Sequence, residues 1–311
     1  MTATLAHEPR SVYALRHLRD DRHRSTRAAP VLNEWLAYLD VEGKAGGTLY
    51  NYERRVGALL RGNDKPIGDY TPEDLNAYLA TVPRASRAVA RSIINKFFEW
   101  AELHDRIERS PMGRVAKVKH VERRAVHTFT DAEVAALENL PRPDGQLFAI
   151  LFGSGMRKGE ARRLRRDDVD LDRRRLLVRQ GKGGKDRVVA LTPSAVAAVA
   201  DLDLTEGLGP EDYLWYCRPG GGRLVSRRFA IGDSTFTTWY AACIEKARVR
   251  YLSPHKTRHT YHELLRRYGL DLEKRQVLMG HKSSRTTTDQ YGHVSIDECV
   301  DDLADFRLER L

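Results

Sequence analysis

Apolar residues in the first third of the chain recur at intervals of three and four. Between Pro30 and about Arg109 they stand at Trp35, Leu36, Leu39, Tyr52, Val56, Leu59, Leu60, Leu75, Tyr78 and Leu79. This spacing places them along one face of successive helices. Thr71 before Pro72 predicts a helix start, with threonine as the N-cap and proline at the first helical position. The pattern therefore predicts a small helical bundle.

The aromatic residues of "SIINKFFEWAEL" allow two interpretations. Phe97, Phe98 and Trp100 could stack on exposed bases, or they could pack in the core of the bundle. Helical spacing among apolar neighbours is typical of core positions, so the sequence favours packing.

A different pattern begins after residue 127. In "FTDAEVAAL", Thr130 and Glu133 have the spacing of a capping box and predict another helix start. The stretch "RLLVRQGKGGKDRVVAL" has two apolar, β-branched runs around a Gly-rich turn, which predicts a β-hairpin. Helical spacing returns after Thr235. We therefore expect a mixed, mainly helical second domain.

Charge patterning sets the predicted boundaries. Residues 1–27 carry six arginines against three acids and are expected to form a flexible basic arm, which either touches DNA or stays solvated. Residues 106–124 carry seven Lys and Arg against two acids and include Pro and Gly. We predict a helical domain over 28–111, a basic linker over 112–127 with DNA contacts at Arg114, Lys117 and Lys119, and a second domain over 128–311.

Composition narrows the class of partner. The chain has 53 Lys and Arg against 43 Asp and Glu, a formal charge of +10, and a pI near 9.5, which favours a polyanion such as nucleic acid over a membrane surface. The excess of arginine over lysine suits phosphate binding, but a GC-rich genome would produce it too. Three dispersed cysteines indicate neither disulfides nor a zinc site. The N-terminus has no apolar core of signal-peptide length, and no apolar run approaches the length of a membrane span. We expect a soluble, cytoplasmic protein.

Six polar residues of the second domain stand in a particular order. They are Arg157 in "SGMRKGE", Lys182 in "GKGGK", His255 and Arg258 in "HKTRH", His281 in "LMGH" and Tyr291 in "YGHV". Each alone has an ordinary structural explanation. Together they resemble the tyrosine recombinases of the phage integrase family over roughly residues 30–300. The interval from His281 to Tyr291 is ten residues, one more than is usual in that family.

The resemblance implies a role for each residue. Arg157 and Arg258 would hold the scissile phosphate, because a guanidinium offers a planar fork to two oxygens, and His281 would be a third donor. Tyr291 would be the nucleophile and His255 the acceptor of its proton. Lys182 would protonate the leaving 5′ oxygen.

Two further residues beside this set have expected roles outside the chemical steps. Glu160 would be a buried structural partner that orients nearby arginines. Lys185, the second lysine of the Gly-rich turn, would contact the DNA backbone or solvent.

The implied fold is mainly α with a small β-sheet: an N-terminal SAM-like core-binding domain followed by a mixed α/β catalytic domain. The implied function is site-specific DNA recombination through a 3′-phosphotyrosyl intermediate, for integration, excision or resolution. No cofactor is expected, since the reaction stores the bond energy and the sequence has no P-loop or carboxylate cluster for Mg²⁺. Partners would be double-stranded DNA with specific core sites, a homo-tetramer on that DNA, and possible accessory or directionality factors.

Two alternatives stay open. A type IB topoisomerase shares the phosphotyrosyl chemistry, although the tail after Tyr291 and the His-x-x-Arg box disfavour it. A catalytically silent DNA-binding regulator is disfavoured by the intact polar set.

The C-terminal tail has a pattern of its own. Ile296, Val300, Leu303 and Phe306 recur at helical intervals within residues 294–311. Such a helix either docks on its own domain or, as the resemblance implies, exchanges into a neighbouring protomer.

Overall fold

The computed structural model describes residues 26–119, 127–179, 186–216, 227–280 and 294–307. The chain divides into two compact units, Met1–Arg124 and Ala125–Leu311. Four of the predicted site residues, Lys182, Lys185, His281 and Tyr291, lie outside the described residues, as does nearly all of the predicted N-terminal arm.

The described part of the first unit is helical, as its periodicity predicts. Its α-helices are α1 (Ala29–Val41), α2 (Gly46–Gly62), α3 (Pro72–Thr81) and α4 (Arg84–Leu103), with short 3-10 helices at Ile67–Asp69 and Pro111–Arg114. The Thr71 side chain accepts from the backbone N–H of Asp74, and Pro72 begins α3, so the predicted helix start is confirmed. Phe97 and Phe98 are fully buried and Trp100 nearly so, which confirms core packing.

The residues after Ser110 share the core of the first unit. Met112 and Val115 are buried there, and the backbone N–H of Ala116 donates to Asn76 Oδ1 at 3.0 Å. Arg91 Nε donates to the Ala116 carbonyl at 3.0 Å. The predicted linker from residue 112 therefore begins, in the structure, with a segment that packs on the first unit, because two apolar side chains interrupt its basic run.

The second unit combines helices with a small sheet. Its elements are α5 (Asp131–Glu138), α6 (Asp144–Ser154), α7 (Lys158–Ala161), a 3-10 helix (Arg166–Asp168), β1 (Val169–Asp170), β2 (Arg175–Val178), β3 (Arg187–Ala190), α8 (Pro193–Glu206), α9 (Asp233–Lys246), α10 (Pro254–Arg267), α11 (Leu272–Met279) and α12 (Ile296–Asp302). Helix α6 is almost entirely buried, so it forms the centre of this unit. The capping box of Thr130 and Glu133 begins α5, as predicted.

The three strands form an antiparallel sheet in the order β1-β2-β3. Val178 pairs with Arg187 and Arg175 with Ala190, so β2 and β3 are the two arms of the predicted hairpin. The fold class, mainly α with a small sheet, is confirmed. Among the helices of the described ranges, none has the length and apolar character needed to cross a membrane.

Helix α12 packs against its own unit. Val300, Leu303 and Phe306 are buried in a cluster with residues of α10 and α11, and Ile296 lies against it. The predicted apolar face is therefore present and covered by the same chain. Its exchange into a neighbouring protomer stays a prediction.

Candidate active site

A left-handed glycine positions Arg157. Helix α6 ends at Ser154, and Gly155 caps it with φ +60°. A Cβ at Gly155 would lie 2.3 Å from Cδ1 of Tyr261, so both the backbone conformation and the aromatic ring require glycine here. The chain then turns, and Arg157 becomes the N-cap of the short helix α7.

Glu160 accepts hydrogen bonds from two arginines. Its Oε1 accepts from Nη1 of Arg157 at 2.9 Å and from Nη1 of Arg187 at 2.9 Å. Its Oε2 accepts from the backbone N–H of Arg157 at 2.8 Å and from Nη2 of Arg187 at 2.7 Å. Burial opposes ionisation of this carboxyl, but the hydrogen bonds from Arg187 and Arg157 outweigh it and hold the pKa at about 2. Glu160 is therefore a carboxylate at neutral pH.

Helix α10 brings Arg258 to the same place. Arg258 is only 3% exposed, and its Nη1 donates to the Gly155 carbonyl at 2.6 Å, two residues before Arg157. Its Nη2 donates to the carbonyl of Met279. Burial, followed by the charges of Arg157 and Arg187, lowers the pKa of Arg258 to about 10. The guanidinium remains charged at pH 7, and its five N–H groups leave donors for a further acceptor.

His255 occupies the first turn of α10 and is exposed. Partial desolvation, then the charges of Arg258 and Arg157, lower its pKa below 6.5. The ring of His259 lies edge-on to His255, with centroids 4.8 Å apart. Since its pKa lies below neutrality, His255 is mostly a neutral imidazole at pH 7 and can accept a proton.

A second left-handed glycine ends α11. Gly280 has φ +59°, and a Cβ there would lie 2.2 Å from Cδ of Arg187. The Arg187 side chain therefore occupies the space that a side chain at position 280 would need. Four of the predicted site residues, Arg157, Glu160, His255 and Arg258, lie close together in the structure: Glu160 accepts from Arg157, and the charges of Arg157 and Arg258 act on His255.

The predicted DNA-contacting residues Arg114, Lys117 and Lys119 belong to the first unit. Arg114, Lys117 and Lys119 are all exposed to solvent, in the segment that packs on that unit. No three His, Cys, Asp or Glu side chains in the described part of the chain approach one another closely enough to hold a metal ion.

Sequence reasoning missed Arg187. The signal was the two-residue period of a strand, which puts Arg187 on the same face as Val189. Val189 is fully buried, while Val188 between them is 39% exposed. An arginine on the inward face of a strand requires an anionic partner, and Glu160 is that partner.

The chain is similar to known proteins over most of its length. The phage integrase family pattern matches residues 124–298. The tyrosine recombinase XerA of Thermococcus kodakarensis is 31% identical over 280 residues, which cover 86% of this chain and 92% of the relative.

Two solved structures share the fold. A lambda integrase (75-356) dimer bound to a COC' core site matches with a TM-score of 0.65 and 20% identity, over 85% of this chain and 98% of that one. A lambda integrase tetramer bound to a Holliday junction matches with a TM-score of 0.65 and 19% identity, over 93% and 85%. From the family match, together with this extent of identity to XerA, it follows that the chain belongs to the phage integrase family of tyrosine recombinases, enzymes that cleave and rejoin DNA.

Proposed function

We propose that this recombinase cuts and rejoins duplex DNA at specific core sites through a 3′-phosphotyrosyl intermediate on Tyr291. The observation that carries the proposal is the charge of the cluster. Among the described residues, the Glu160 carboxylate accepts hydrogen bonds from the guanidinium groups of Arg157 and Arg187, and the Arg258 guanidinium lies near enough for its charge to interact with all three. A bound phosphate would offset both the burial of the Arg258 guanidinium and its repulsion from Arg157 and Arg187, which together lower the pKa of Arg258. The charge that develops on the phosphate oxygens in the transition state would be stabilised further.

The proposed steps conserve atoms and charge. The Tyr291 hydroxyl attacks the scissile phosphorus while His255 accepts its proton. The bond from phosphorus to the 5′ oxygen breaks, and Lys182 protonates that oxygen. Attack by a 5′ hydroxyl on the phosphotyrosine reverses these steps and rejoins the DNA. His281 supplies a further donor to the phosphate.

Tyr261 and Tyr268, on and directly after α10, are poorer candidates for the nucleophile. Tyr261 is fully buried against Gly155, and burial raises its pKa, which disfavours the phenolate. Tyr268 is half-buried and its ring lies 4.9 Å from that of Phe306. Both are occupied in packing, which favours Tyr291.

The proposed assembly is a homo-tetramer on two core sites in the cytoplasm, with accessory factors setting direction where the element needs them. The first unit, as a SAM-like domain, and the exposed Arg114, Lys117 and Lys119 would bind DNA outside the cleavage site, with Lys185 as a further backbone contact. Helix α12 could exchange between protomers, because a partner could supply the same apolar surface that it covers in its own chain. The lambda integrase dimer bound to a COC' core site and the lambda integrase tetramer bound to a Holliday junction support this arrangement.

The test uses a suicide substrate, a core-site duplex with a nick close to the cleavage position. Cleavage then releases a short fragment with a 5′ hydroxyl, which dissociates and cannot rejoin the DNA. The wild-type protein should form a covalent adduct that survives denaturing gel electrophoresis, and Tyr291→Phe should abolish it while leaving DNA affinity unchanged. Tyr268→Phe is the matched control and should retain the adduct. An adduct that persists in Tyr291→Phe would refute the assignment.

Two assays separate the alternatives: plasmid relaxation tests the topoisomerase, and the suicide substrate tests the silent regulator. A type IB topoisomerase would relax plasmids as a monomer without site preference. A catalytically silent regulator would bind the site and form no adduct in any variant.

A further inference from the structure

Arg187, on β3, contacts both Glu160 of α7 and Gly280 at the end of α11. It begins β3, and both of its terminal nitrogens donate to the Glu160 carboxylate, at 2.9 and 2.7 Å. Its side chain is 14% exposed, so this pair is largely shielded from water. A bidentate pair fixes the plane of a carboxylate as well as its distance. The orientation of Glu160 is thereby set from the sheet, outside the short helix that carries it.

The oriented carboxylate in turn fixes Arg157. Glu160 accepts from both the backbone N–H and Nη1 of Arg157. Helix α7 has only one turn, Lys158–Ala161, and cannot by itself hold a long side chain at its N-cap. The position of the Arg157 guanidinium therefore depends on a carboxylate that Arg187 holds.

The other side of Arg187 contacts the end of α11. Its Cδ and Nε lie against the Cα of Gly280, where a Cβ would come within 2.2 and 2.6 Å of them. The preceding residue, Met279, gives its carbonyl to Arg258. Arg187 thus packs between α7, which Arg157 caps, and the turn at Gly280, where the preceding carbonyl accepts from Arg258.

We propose that Arg187 is a positioning residue for the cleavage reaction: it sets the position of the Arg157 guanidinium through Glu160. This inference rests on the function proposed above. Arg187 is not a catalytic residue, because its terminal nitrogens are engaged with Glu160. A lysine at this position would retain the charge but could not fix the plane of the carboxylate.

The test uses the full-length protein and the suicide substrate at saturating DNA. Arg187→Lys should lower the rate of covalent adduct formation by about 100-fold, the effect expected for a misplacement of about 1 Å in a catalytic group. The affinity for the uncut site should stay unchanged. Arg166→Lys is the matched control: Arg166 is also half-buried and pairs with Asp203 at 2.8 Å, away from this cluster. It should cleave at the wild-type rate.

A double-mutant cycle distinguishes positioning from general structural support. In an Arg157→Ala background, Arg187→Lys should cause no further loss of rate, because the group it positions is gone. A second, multiplicative loss would overturn the proposal, since it would mean that Arg187 acts independently of Arg157.

Folding is controlled by a second variant. If Arg187→Lys melts below the assay temperature, Glu160→Asp takes its place, because it keeps the charge but withdraws the carboxylate from both arginines. Glu160→Asp should show a similar loss of rate. In the Arg157→Ala background it should cause no further loss of rate. Wild-type rates in Arg187→Lys, or in a folded Glu160→Asp, would overturn the proposal. A wild-type protein that forms no adduct at all would instead refute the proposed function.

Discussion

The cations of this protein occupy two contrasting environments. Around Glu160, Arg157, Arg187 and Arg258 are wholly or partly withdrawn from water and tied to acceptors of the protein itself. In the first unit, the side chains of Arg114, Lys117 and Lys119 are exposed to solvent. The segment that carries them is held through its backbone, by hydrogen bonds of Ala116.

The difference in environment implies a difference in task. Charges held in a partly desolvated site cost no reorganisation when a transition state forms, so they can accelerate a reaction. Exposed charges on long side chains interact weakly and are screened by salt, so they contribute mainly to affinity. Substitutions in the two sets should therefore change different measured quantities.

Lys182 should be distinguishable from both sets, because it is assigned the transfer of a proton. Lys182→Ala should slow cleavage of the ordinary phosphodiester by between about 10² and 10⁴-fold. A substrate whose 5′ leaving atom is sulfur should be cleaved by this variant at nearly the wild-type rate, since a thiolate needs little protonation. Equal slowing on both substrates would assign Lys182 to fixed-charge stabilisation, like the buried arginines.

The exposed set should affect binding alone. If Arg114, Lys117 and Lys119 each contact one phosphate, replacing all three by glutamine should make the plot of log affinity against log salt shallower by about 2.7, at about 0.9 per phosphate. The cleavage rate at saturating DNA should not change. Arg106→Gln is a control, because this exposed arginine pairs with Glu34 at 2.7 Å. An unchanged slope in the triple variant would remove these residues from the interface.

The buried set should also affect stability in acid. The pKa of Glu160 is lowered from 4.5 to about 2 on folding, so its ionised form stabilises the fold above about pH 4.5 and this contribution is lost as the pH falls towards 2. Between about pH 4.5 and pH 2, the wild type should lose Tm more steeply than Glu160→Gln in thermal melts. Parallel curves would mean that Glu160 is not held as a carboxylate.

Local sequence signals predicted much of this fold. The helix starts at Thr71 and Thr130 were readable because a capping residue and its partner lie three positions apart. The β-hairpin was readable because two apolar runs flank a Gly-rich turn. In the site, Arg157 and Glu160 are three residues apart, and their contact follows from that spacing.

Contacts between elements that are far apart in the sequence could not be predicted from local patterns. The pair of Arg187 and Glu160 spans 27 residues and depends on how β3 packs beside α7. The carbonyl acceptors of Arg258 belong to backbone 103 and 21 residues away. In the predicted linker, the basic residues obscured Met112 and Val115, whose burial ties that segment to the first unit.

The central claim is that the guanidinium groups of Arg157 and Arg258 act on the negative charge of the scissile phosphate. It is tested most directly by replacing one non-bridging oxygen of that phosphate with a methyl group, which makes the phosphate neutral. On the ordinary phosphodiester, Arg157→Ala should slow adduct formation by about 10² to 10³-fold. On the methylphosphonate the same variant should be slowed by less than about tenfold, because the charge that Arg157 stabilises is absent. Equal slowing on the two substrates would contradict the account.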